Sequence, residues 1–359
     1  NHSGFLIKQT GCPNSVQLLV NSLSKIKMYK TPIFFALTYI CSHVGLAYAH
    51  HSEAAYNHDT VATIQGTVSR VTWRNPHVYI YVNTTNEAGQ AEEWKVETGS
   101  IPMMARSGWS PDTIVAGESI SIQGYPENRP EIKEAIMLSL EKDDGSTLAQ
   151  KDILNLPEIA AEGFSGIWKR RAGDGSTFTK DLEALQLTEA GLAAKNGYDI
   201  ERDNPLAACI GFPTPRLLDT TGYLFEIEEL DDRIVIYSEY LDSHRTIYTD
   251  GRDHPEGGER SNQGHSIAHW EDDTLVVDTR LFADHRSPNR NGVPSGEQKH
   301  VIEKYHLSDD KTHMFIDVFM EDPEYLSEPF EGKIIRYYSP TLERHDYNCV
   351  PQEAATLEG

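Results

Sequence analysis

The chain is short of positive charge, of cysteine and of long apolar runs, and each shortage narrows what it can do. Lysine and arginine number 32 against 55 aspartates and glutamates, a net charge of −23 over 359 residues. A surface that negative repels phosphate backbones and anionic headgroups, which argues against nucleic acid and peripheral membrane binding and fits solubility in a salty extracytoplasmic space. There are four cysteines. The one extended apolar stretch, 32–49, is interrupted by Ser42 and His43 and is too short and polar for a membrane span. No Gly-x-Ser-x-Gly string, Walker loop or dinucleotide fingerprint stands in a strand-to-helix setting.

What is present first reads as an export signal. Lys25, Lys27 and Lys30 precede "PIFFALTYICSHVGLAYA", which ends on the small-x-small triplet Ala47-Tyr48-Ala49. Cleavage after Ala49 makes His50 the mature terminus, with Met28 marking residues 1–27 as an upstream extension. Residues 1–49 are therefore set aside, and the protein is expected to be periplasmic or secreted from a bacterium, with no membrane insertion after cleavage. Two cysteines remain, Cys209 and Cys349. In an oxidising compartment they most simply pair, closing a loop of about 140 residues worth roughly 5 kcal/mol on the chain-entropy model. Two buried free thiols are the alternative.

Residues 50–145 alternate β-branched and polar positions in five runs, 61–72, 77–82, 92–97, 119–124 and 131–140, with a short helix expected between the third and fourth. That order predicts a small OB-like barrel. The strings "HHSEAAYNHD", "GTVSRVTWRNPHVYIYV" and "RSGWSPDTIVAGESISIQGY" resemble a family of secreted bacterial proteins of unknown function, which implies no activity but draws attention to His50, His51 and His77. A terminal amine with imidazoles suits copper(II), so His50 and His51, with His77 or His58, are the candidate metal ligands. A polar leader with His77 ordering a turn is the competing reading.

After a linker, 146–163, residues 164–350 form the second expected domain, with 351–359 as a tail. "FSGIWKRR" carries a Gly-x-Trp of the kind that opens lipocalin-like barrels. A helix is expected near 188–195, capped by Thr188 and stopped by Gly197, and then a Pro-rich loop, 204–218, bears Cys209. Strands follow at 223–230, 233–240, 244–249, 265–270, 274–281, 300–307, 313–320, 330–338 and 344–349, joined by polar turns. The pattern predicts an antiparallel lipocalin-like meander barrel, making the whole protein all-β. "SEYLDSHRTIYTDGRDHPEG", "GHSIAHWEDDTLVVDTRLF", "SGEQKHVIEKY", "EDPEYLSEP" and "HDYNC" resemble a second uncharacterised group of secreted bacterial proteins.

A barrel of this size encloses one small ligand. The leading expectation is an exported binding protein for a partly apolar small molecule, with Tyr240, Arg252, His254, His269 and Tyr305 as ligand contacts. The alternative is a cofactor-independent acid–base isomerase, lyase or hydrolase. There His265 moves a proton, Glu303 orients it and Arg245 holds an anionic group. That trio requires all three side chains to point inward. A buried Arg–Glu pair filling a polar interior explains the same residues without chemistry.

Overall fold

A computed structural model describes residues 55–149, 157–171 and 176–351. The expected signal segment, His50 and His51 lie outside them. No helix among the described residues is long and apolar enough to cross a membrane.

The first barrel follows from alternation. Strands β1 (Ala62–Thr72), β2 (Tyr79–Thr85), β3 (Ala91–Glu97), β4 (Ser119–Pro126) and β5 (Glu134–Lys142) point Ile64, Ile80, Val82, Val96, Ile120 and Ile122 into one core. β1 pairs with both β2 and β4, and a parallel β3–β5 contact closes the ring in the order β1-β2-β3-β5-β4. Helix α1 (Ile101–Arg106) starts on Pro102, whose missing N–H costs nothing in a first turn, and packs Met104 onto the core. A short β6 (Thr147–Ala149) adds to the β5 edge. At Gly66 the strands approach so closely that a Cβ would meet the Asn83 carbonyl at 2.1 Å.

The second barrel is a nine-stranded ring in chain order: β7 (Gly166–Lys169), β8 (Phe225–Glu229), β9 (Arg233–Ser238), β10 (Ser243–Tyr248), β11 (His265–Glu271), β12 (Thr274–Arg280), β13 (His300–Leu307), β14 (His313–Glu321) and β15 (Phe330–Tyr338), which returns to β7. A closed ring with an odd number of strands cannot alternate direction throughout, and the parallel pair is β10–β11. Parallel neighbours need a crossover, so the 249–264 connection runs back to the start of β11. Trp168, Ile247, Val277, Val301, Ile316 and Ile334 are all fully buried. Side chains fill this strand-lined interior, where an enclosed ligand was expected.

Between β7 and β8 lie helices α2 (Phe178–Glu183), α3 (Glu189–Asn196) and α4 (Ile200–Asp203). Thr188 caps α3 as its position predicts, its hydroxyl accepting from the Gly191 N–H at 3.1 Å. The strand expected over 344–349 does not form. Its backbone donors go to carboxylates instead: His345 N–H to Glu239 (3.0 Å), and Tyr347 and Asn348 N–H to Asp242 (2.6 and 2.8 Å). This irregular tail carries Cys349 to its disulfide partner Cys209, a bond that fits an oxidising compartment.

The two mouths of the ring differ. One has tight turns at 230–232, 272–273 and 308–312. At the other gather the long connections 170–224, 281–299 and 322–329, with the short 239–242 link among them. The first barrel also reaches this end. Arg106 of α1 pairs with buried Glu239 and donates to the Gly222 carbonyl at 2.8 Å, and Asn75 donates to the Tyr347 carbonyl.

Candidate functional site

The sequence-predicted residues separate into an inner and an outer set. Inside, Arg245 and Glu303 form a two-pronged ion pair at 3.1 and 2.5 Å. Arg245 also donates to Ser266 (3.1 Å), Thr279 (2.8 Å) and the Tyr305 hydroxyl (3.4 Å). All five guanidinium hydrogens are therefore engaged. Arg245 is 1 % exposed and Glu303 fully buried. No donor is left over for a substrate, and no surface for it to approach.

His265 does not join them. Its neighbour Ser266 occupies the inward position on β11, and strand alternation turns His265 and His269 outward. His269 stands exposed beside Glu271 at 3.3 Å. The inward-pointing acid–base trio is thus corrected by one residue of register on β11.

On the outer wall His265 meets a different set, because the 249–264 crossover folds back over it. His254 Nδ1 lies 2.9 Å from His265 Nδ1, and His254 Nε2 lies 3.0 Å from Asp278 Oδ1. His300 also reaches Asp278 (3.0 Å) and touches Glu321 (3.3 Å). Tyr248 stacks on His265, and Arg252 covers Tyr248 at 3.8 Å while pairing with Asp250. Burial, then His254 and Arg252, lower the His265 pKa. Burial works to raise the Asp278 carboxyl, but His300, His254 and Arg280 outweigh it and hold it at about 2. The network pins the crossover to the barrel wall.

The loop-bearing mouth holds what sequence reasoning missed. Residues 211–220 have no strand yet are buried without interruption. In 285–299, also irregular, His285, Ser287, Asn289, Ser295 and Lys299 are buried. Irregular backbone normally stays at the surface, where water satisfies it. Cross-links hold the two segments together: Lys299 donates to the Thr214 carbonyl (3.2 Å) and to Ser295 Oγ (3.3 Å). From the 249–264 crossover, Gln263 donates to the Phe212 carbonyl (2.9 Å) and accepts from Thr214 (3.2 Å). The Tyr240 ring stacks on Phe212 and packs on Tyr223 and Tyr347.

Two polar atoms in this roof have no hydrogen-bond partner, Arg216 Nε and Asn289 Oδ1. Each such group costs about 1–3 kcal/mol if left dry. The Ser287 N–H donates to His285 Nδ1 at 3.2 Å, so the neutral ring carries its hydrogen on Nε2, on the side of the Ile210 and Gly211 backbone. Burial, then Lys299, lower the His285 pKa to about 4. Sequence alone carried one signal for this roof: the 19-residue interval 281–299 between two strong strands lacks any alternation, and long structureless connections in compact domains are usually functional.

Of the copper set, His77 pairs with Glu97 and His58 packs against the Tyr125 ring. Among the described residues no three His, Cys, Asp or Glu side chains gather so as to hold a metal ion.

The model of a family of unknown function (DUF6152) matches residues 39–133, overlapping most of the 50–145 stretch where the first resemblance was read. No curated protein matches the chain. Among solved structures, the crystal structure of the fluorescent protein UnaG N57A mutant is similar at 16 % identity, over 50 % of this chain and 97 % of that one, with a TM-score of 0.26.

Proposed function

We propose that this is an exported binding protein for a small, partly apolar molecule, seated in the roofed mouth of the second barrel between residues 211–220 and 285–299. One observation carries the reading: two segments without strand are buried at this mouth and hold the unpartnered Arg216 Nε and Asn289 Oδ1, while Arg245 and Glu303 in the strand-lined interior beneath are fully engaged with each other and their neighbours. A binding site of this kind combines apolar walls with a few convergent polar groups. Phe212, Tyr240 and Phe282 supply the former, and His285, Asn289 and Lys299 the latter. The test is hydrogen–deuterium exchange of the protein with and without the small molecules that raise its melting temperature. Added protection confined to 211–220 and 285–299 supports the site. Protection elsewhere, or none with any stabilising compound, refutes it.

A second reading, acid–base chemistry, draws support from the outer wall, where Asp278 orients His254 against His265. It predicts a turnover that His254→Ala and His265→Ala each abolish without loss of fold. Turnover unchanged in both variants removes it.

A further inference from the structure

Lys299 is the anomaly of the roof. It is 3 % exposed, and its ammonium touches only neutral acceptors, the Thr214 carbonyl and Ser295 Oγ, with the Phe282 ring 4.5 Å away. Three other buried cations rest on carboxylates, Arg106 on Glu239, Arg245 on Glu303 and Arg216 on Asp219, whereas Arg336 donates to the Leu218 and Thr220 carbonyls. Lys299 forms no such ion pair. The two negative charges that act on it, Asp322 and then Glu303, form no ion pair with it, and Glu303 is held by Arg245. Burial outweighs both and lowers the ammonium to about 8. In a chain of net charge −23, a buried cation with no carboxylate in contact runs against the composition, and burying an unpaired charge is costly.

Resting on the binding-protein reading, we infer that the ligand of the roofed mouth is an organic acid whose carboxylate seats on Lys299. The carboxylate supplies the direct ion pair that Lys299 lacks. Its apolar body lies against the aromatic rings of the roof.

The experiment compares matched acids and amides on the unaltered protein by calorimetry: phenylacetate against phenylacetamide, and octanoate against octanamide. The inference expects each acid to bind roughly ten- to hundredfold tighter than its amide, the range for a hydrogen bond to a charged group. Lys299→Met is expected to erase that preference. Equal binding of acid and amide overturns the carboxylate assignment while leaving the small-molecule site standing. Failure of every acid to bind at millimolar concentration also overturns it, and the exchange experiment then decides separately whether the roof binds anything. The acid–amide comparison needs no variant, so a misfolded Lys299→Met does not leave the question open.

Discussion

Glu303→Leu separates structure from chemistry inside the barrel. The substitution places an apolar side chain between Val277 and Val318 on the adjoining strands and strands the Arg245 guanidinium. Breaking a buried ion pair from one side costs about 3–5 kcal/mol, because the remaining charge keeps its desolvation penalty. Replacing the whole group is different. In Arg245→Met/Glu303→Leu/Tyr305→Phe no charge is buried, Ser266 and Thr279 still bond each other at 3.0 Å, and no tyrosine hydroxyl is orphaned. Such apolar replacements are often neutral or stabilising, so the triple variant should recover to within about 1 kcal/mol of the parent. Urea denaturation followed by circular dichroism measures both, and the cycle of partial variants gives the coupling energy. A single substitution that costs nothing, or a triple variant as unstable as the single, refutes the reasoning.

Three further outcomes follow from the same physics. Replacing Cys209 and Cys349 by serine should cost up to about 5 kcal/mol, since the bridge spans 140 positions; denaturation midpoints identical with and without reductant would contradict this. The folded state holds His285 neutral down to about pH 4, whereas the unfolded chain protonates it near 6.5. Its share of stability is therefore whole above about pH 6.5 and falls by about 3 kcal/mol as pH drops past 4. His285→Gln should flatten that slope, and an unchanged slope from pH 7 to 4 counts against the assignment. Asn289→Leu removes an unpartnered buried acceptor, so the ligand-free protein should gain about 1–3 kcal/mol while losing its ligand-induced melting shift. A loss of stability without ligand would show that Asn289 is already satisfied.

Most of the strand framework was legible because each strand has one buried and one solvated face. Phe330–Tyr338 and His300–Leu307 read directly from alternation. The phase of β11 did not, because "HSIAHW" offers a plausible inward set on either face, and a one-residue slip moves the whole set. The parallel β10–β11 junction decided it, and that depends on ring closure rather than local pattern. The 344–349 stretch alternates like a strand but spends its N–H groups on Asp242 and Glu239, a tertiary choice with no local signature. The roof was least legible: Thr214, His285, Asn289 and Lys299 lie in segments without period, and their burial arises only when two distant loops meet.

The most direct measurement is native mass spectrometry of the protein recovered unstripped from a bacterial periplasm, beside Asn289→Leu. The account predicts an organic adduct on the parent that is absent from the variant and is released on denaturation. A bare chain in both, or an adduct retained equally by both, contradicts a binding site in the roofed mouth.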